Sequence, residues 1–105
     1  MPSMPKKGAS ECRDMTEIRE CIDQLDQSVI RLLGERFTYV KAAAKFKKNA
    51  TEVQAAGRFE SMLLQRREWA EQQGLGADLI ETVYRDLVNW FIAQEMNHWA
   101  AESTD

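Results

Sequence analysis

Three charged residues, Arg36, Lys47 and Glu95, stand where helical periodicity calls for apolar side chains. One stripe runs Ile18, Ile22, Leu25, Val29, Leu32, Arg36, Val40, Ala43 and Lys47, in unbroken steps of three and four. Arg36 and Lys47 therefore face the same way as the leucines before them. An unpaired buried charge is costly, so two cations on one inward face imply an anion that meets them. On a continuous helix their spacing offsets them by about 20° and separates them by ~16 Å along the axis. That gap suits a small anion held at both ends. The plainer account pairs Arg36 with a carboxylate from another helix and lets Lys47 snorkel at a fraying end.

Other candidates carry their own alternatives. Arg19 projects roughly 100° from the Arg36 face and lies ~25 Å from it along the axis. It would reach such a site only in a partner chain of an antiparallel dimer; otherwise it is a surface arginine pairing with Asp23 at i+4. Arg58 opens a second helix, where free N–H groups and the positive dipole end favour an anion. Taken singly, it also reads as a solvated loop arginine. Glu95 would donate a hydrogen bond if burial keeps it protonated, or else forms an ion pair with a stripe cation. His98, the only histidine, stands beside Trp99 with no second ligand or triad partner in the pattern and reads as structural. Trp69, Trp90 and Trp99 read as core or interface, and Arg66-Arg67-Glu68 as solvated helix face.

These side chains need helices to position them. Asp14 with Glu17 three residues on is a capping-box pattern, followed at once by Ile18. The period then holds to about Lys48, which is ~35 residues or ~50 Å of helix. The rest of so short a chain cannot cover a helix of that length. It protrudes or packs against a second copy, and an intertwined homodimer is the expectation. Residues 49–54 read as a polar loop. A second helix is expected over about 55–73, with Phe59, Met62, Leu63, Arg66, Trp69 and Ala70 along one side and Gly74 and Gly76 as its stop. Asp78 with Glu81 repeats the capping box and opens a third helix, whose stripe is Ile80, Tyr84, Leu87, Phe91, Glu95 and Trp99. Gly34 inside the first helix implies close packing there. No segment alternates with period two, so the expected fold is all-α with three helices, the first of them long. The domain spans 14–101, between a flexible lead-in at 1–13 and a tail at 102–105.

Composition narrows the function. With 105 residues, 44% of them hydrophobic, the chain suffices for one small core. A net charge of −3 leaves no basic surplus for nucleic acid. No run approaches the ~20 apolar residues of a membrane span, and no apolar stretch follows Lys6 and Lys7 as a secretory signal requires. Cys12 and Cys21 have no metal-ligand spacing, and a disulfide framework is not expected of one cysteine in the lead-in and one in the first helix. Free thiols in a reducing cytoplasm are the expectation.

The residues also carry a resemblance. Ile18-Arg19-Glu20, Ile22-Asp23, Asp26, Arg36, Tyr39 to Ala43, Phe46-Lys47 and Arg58 are similar to the all-helical chorismate mutases. The similarity continues through Met62-Leu63, Arg67, Trp69 to Glu71, Gly74-Leu75, Trp90, Ile92-Ala93 and Trp99. It is strongest to the branch containing the isochorismate-pyruvate lyase of salicylate biosynthesis, and it covers about residues 12–101. The resemblance implies the three-helix chorismate mutase II fold, an intertwined homodimer with two equivalent sites, no cofactor, and chorismate or isochorismate as substrate. It implies that Arg19 binds a substrate carboxylate in the partner's site while Arg36 clamps the other carboxylate. Lys47 would donate to the ether oxygen whose C–O bond breaks, and Arg58 would help close the site. A pericyclic step needs no nucleophile, metal or general base. It gains from a substrate held in a compact conformer and from positive charge aimed at the oxygen that becomes electron-rich.

Three positions depart from the simple mutases. Glu95 stands where the family commonly has a glutamine donating to the ether oxygen, though some mutases carry glutamate. An ionised Glu95 would repel that oxygen, so activity is expected to improve as pH falls. Ala55 replaces the acid that holds the substrate's ring hydroxyl, and Phe91 replaces a small hydroxyl residue; both substitutions match the lyase. Chorismate to prephenate is the leading reading. Isochorismate to salicylate and pyruvate follows it, possession of both activities included. A catalytically silent helical dimer module and an aminodeoxychorismate mutase are more distant.

Overall fold

The computed structural model describes residues 7–46 and 56–103. All regular structure among them is helical, as the periodicity requires. A single 3-10 turn, Ala9–Glu11, precedes three helices: α1, Met15–Ala44; α2, Ala56–Gln72; and α3, Ala77–Ser103. The chain divides into two compact units, one ending at Tyr39 and the other beginning at Val40.

In the first unit, Asp14 starts α1 as its spacing predicts. Its side chain accepts from the Glu17 N–H at 2.9 Å, and its carbonyl accepts from the Ile18 N–H at 3.2 Å. Only half of the capping box forms, however. Glu17 does not return to Asp14; it accepts from the Arg13 backbone N–H at 2.7 Å, the Arg13 guanidinium at 2.9 Å and Lys7 Nζ at 2.9 Å. These cations and the amide hold the Glu17 carboxyl down to about 2, with the Lys7 hydrogen bond the largest cause. The effect is to fasten the segment before α1 onto its first turn.

The apolar stripe of α1 differs from the sequence expectation. Ile18, Arg36, Val40 and Ala43 are half-buried, but Ile22, Leu25, Val29 and Leu32 are 41–53% exposed. A Cβ built on Gly34 would meet nothing within 4 Å, so the close packing expected there is not made among the described residues. Trp69 and Trp90 are likewise exposed rather than core. The helix also ends earlier than its periodicity suggests. Ala44 is its last residue, and the Phe46 N–H turns back to the Ala43 carbonyl at 3.0 Å. Lys47, the loop at 49–54 and Ala55 lie outside the described residues, as do the side chains of His98 and Trp99.

The second unit is built on an antiparallel pair, α2 and α3. Gly74 ends α2 as expected, with φ of 75°, the left-handed conformation that glycine tolerates. The Leu75 N–H bonds to the Ala70 carbonyl at 2.8 Å and the Gly74 N–H to the Glu71 carbonyl at 3.1 Å, which is a Schellman cap. Gly76 has another role: its carbonyl takes the Ile80 N–H at 3.1 Å and begins α3. The expected Asp78–Glu81 capping box does not form. Both carboxylates turn to α2, where Arg67 donates to Asp78 at 2.8 Å and to Glu81 at 2.9 Å. Arg85 extends the network, donating to Glu81 at 2.9 Å and to Glu60 at 3.3 Å. Arg67 is therefore no solvated charge. Arg66 is not one either, since its guanidinium lies 4.5 Å from the Trp69 ring centroid. Met62, Leu63 and Ala70 of α2 and Phe91 of α3 are buried, as their stripes predict, and Ala44 at the end of α1 is the fifth buried apolar residue among those described.

The depressed Glu17 carboxyl gives α1 a pH signature. A group held below its unfolded value, about 4.3 for glutamate, adds stability above that value and loses it as pH falls through about 2. Glu17→Gln should lower the thermal midpoint at pH 7. The gap to wild type should narrow below pH ~4 and close near pH 2. Melting curves across that range check it, and a gap independent of pH would refute it.

Candidate active site

The expected site residues that are described, which leaves out Lys47, fall on three helices and in both units. Arg19 and Arg36 belong to the first. Arg19 is exposed on the second turn of α1 and makes no hydrogen bond or ion pair among the described residues. The local pairing with Asp23 is thus not formed, and the guanidinium remains available to a ligand or a second chain. Arg36 is half-buried and is not a free side chain. The two are seventeen residues apart on one continuous helix, ~25 Å along its axis. A single small dicarboxylate cannot bridge them within one chain.

The estimate of ~16 Å between Arg36 and Lys47 assumed helix through Lys47. Because α1 stops at Ala44, that geometry does not apply. Periodicity alone could not reveal the stop: neither glycine nor proline marks it, and Lys45-Phe46-Lys47 fits the helical period as well as a turn.

In the second unit, Arg58 occupies the first turn of α2, as its position after the polar loop predicts, and is exposed. Its carbonyl accepts from Ser61 Oγ at 3.0 Å, while its guanidinium has no partner among the described residues. Phe91 and Glu95 lie one turn apart on α3, both 4% exposed. The stripe Ile80, Tyr84, Leu87, Phe91, Glu95 is thus buried or half-buried throughout, as its spacing predicts. Trp90 meets Phe91 edge-on, with ring centroids 5.5 Å apart. Glu95 is buried and is not a free side chain.

The sequence missed a contact between the two cysteines. Both are free thiols, yet their Sγ atoms are 4.0 Å apart. The usable signal was the acidic Glu17 downstream of Lys7 and Arg13, whose ion pairs with it fold the lead-in back onto α1. Among the described residues no three His, Cys, Asp or Glu side chains gather to hold a metal ion. No helix among them is long and apolar enough to cross a membrane.

The chain belongs to the chorismate mutase type II family, which it matches over residues 18–96. It is 37% identical over 93 residues to the isochorismate pyruvate lyase of Pseudomonas aeruginosa, covering 89% of this chain and 92% of the lyase. It is also 35% identical over 82 residues to the T-protein of Haemophilus influenzae, covering 77% of this chain and 22% of that protein. The family match contains Arg19, Arg36, Lys47, Arg58, Phe91 and Glu95.

Proposed function

We propose that the protein is a chorismate mutase, rearranging chorismate to prephenate without a cofactor in the cytoplasm, as an intertwined homodimer. The observation that carries this reading is the family match from 18 to 96, which encloses every cation of the expected clamp. The exposed apolar stripe of α1 supports the dimer. In that dimer Arg19 of one chain and Arg36 of the other bind the two substrate carboxylates, each able to donate in a bidentate manner. Arg58 helps close the site. Lys47 directs its ammonium at the ether oxygen as the C–O bond breaks and a C–C bond forms in the same step. No proton need be transferred for that step. The site works by holding the compact conformer and by stabilising the charge that gathers on the oxygen.

Glu95, buried on α3 one turn from Phe91, is the second group that meets that oxygen.

A second reading has its own support. The 37% identity extends over nearly the whole isochorismate pyruvate lyase, and Phe91 and Ala55 are the lyase-like residues at two site positions. Under that reading the same clamps hold isochorismate, and elimination yields salicylate and pyruvate.

Purified protein incubated separately with chorismate and isochorismate decides between them. The mutase reading expects loss of chorismate with formation of prephenate. Salicylate fluorescence rising far more efficiently than prephenate forms would reverse the order, and turnover of neither substrate would refute both. Lys47→Ala should lower kcat by about 10²–10³, with much less change in melting temperature. Glu95→Gln should retain activity, because its amide donates to the same oxygen. Loss of activity in that variant would remove the donor role of this position.

A further inference from the structure

Cys12 and Cys21 are nine positions apart in sequence, yet their sulfurs lie 4.0 Å apart. Neither thiol is fully exposed, and both are free. The approach follows from a small folded unit rather than from a passing contact of two side chains. The Glu11 N–H bonds to the Gly8 carbonyl at 2.9 Å, and Glu11 Oε1 accepts from the Gly8 N–H at 2.7 Å, which closes the 3-10 turn. Cys12 follows that turn, with its N–H directed to the Ala9 carbonyl at 3.4 Å. Lys7 and Arg13 then both grip Glu17 at 2.9 Å, so the segment is fastened to α1 on each side of Cys12. Cys21 stands one turn further along the helix from Glu17.

The geometry points to a reversible redox site: Cys12 and Cys21 form an intramolecular disulfide when a low-molecular-weight disulfide such as oxidised glutathione accumulates. A disulfide needs sulfurs ~2.05 Å apart, so they must close by about 2 Å, a distance that side-chain rotation covers. The exchange takes two steps. One cysteine, as thiolate, attacks the external disulfide, forms a mixed disulfide and releases one glutathione thiolate, which takes up a proton. The second cysteine loses its proton to solvent and attacks the cysteine sulfur of the mixed disulfide, releasing the second glutathione. Two protein thiols are oxidised to one S–S bond, and one external disulfide is reduced to two thiols. A dithiol reductant reverses it.

The surroundings fit a site that rests in the reduced state. Burial pushes the Cys12 thiol up, and the hydrogen bond with Cys21 and the nearby Glu17 carboxylate add to this, while Lys7 opposes it. Only a thiolate attacks, so exchange is slow near neutrality and quickens as pH rises. Closed, the bond would tie the lead segment covalently to the helical turn that carries Arg19. The chemistry stands apart from the proposed catalysis.

Intact protein is incubated with oxidised glutathione, alkylated and weighed by mass spectrometry, beside Cys12→Ser and Cys21→Ser. Wild type should lose two hydrogens, take up neither glutathione nor alkylating agent, and recover both thiols with reductant. Each single variant should instead keep one alkylatable thiol or one glutathione adduct. The oxidised wild type should melt at least ~3 °C higher than the reduced form, a shift absent from both variants. Wild type that retains glutathione, stays fully alkylatable, or links through its cysteines into covalent dimers would overturn the proposal. So would oxidation without a change in melting temperature.

Discussion

The structure turns on an apolar stripe that one chain leaves uncovered. Ile22, Leu25, Val29 and Leu32 occupy the middle of α1, a helix of about 45 Å, and remain substantially exposed. Burying such a side chain fully contributes roughly 1.5–3 kcal/mol. With about half of each already covered, the four together stand to gain about 3–6 kcal/mol, against about 5–15 kcal/mol for the whole stability of an ordinary small domain. A second copy laid along the stripe would recover that energy. The same helix carries Arg19 and Arg36 too far apart for one substrate to touch both. The dimer proposed above would answer both, since a partner helix that covers the stripe would also bring its own arginine.

Electrostatics divides into two kinds of work. On the α2–α3 pair, Glu60, Arg85, Glu81, Arg67 and Asp78 form a continuous chain of ion pairs. Such partly exposed pairs are individually weak. What they supply is register: Arg67 and Arg85 fix how α3 lies along α2, and so where Phe91 and Glu95 fall. Glu95 belongs to the other kind. It is nearly as buried as Leu63, and a carboxyl in that position is retained at a cost. The proposed chemistry gives that cost a purpose, since a hydrogen bond from a dry site acts more strongly on a developing oxyanion than one from water.

Much of this was legible in the residues. The third stripe was read correctly through Glu95, because every residue in it obeys one period and the helix has no internal break. The second helix was bounded to within a residue at each end, since Gly74 accepts a backbone conformation that few other residues tolerate. The capping signals were less reliable. Asp14 caps its helix, but Asp78 and Glu81 find Arg67 across the hairpin, and no local pattern announces a partner eleven or fourteen residues away. The end of α1 was missed for a related reason: the sequence after Ala44 still fits the period. The contact of Cys12 with Cys21 depends on Lys7, Arg13 and Glu17 acting together, which no single motif encodes. The four cations of the proposed site stand out only through their order and spacing, as each alone reads as an ordinary surface charge.

The central claim is that each site takes Arg36 from one chain and Arg19 from another, and mixed dimers test it directly. Arg19→Ala and Arg36→Ala proteins, each nearly inactive alone, are unfolded together, refolded and assayed with chorismate. Random pairing makes half the dimers mixed, and each mixed dimer regains one complete site, so about a quarter of wild-type activity should return. A mixture no more active than its two components would contradict a site shared between chains.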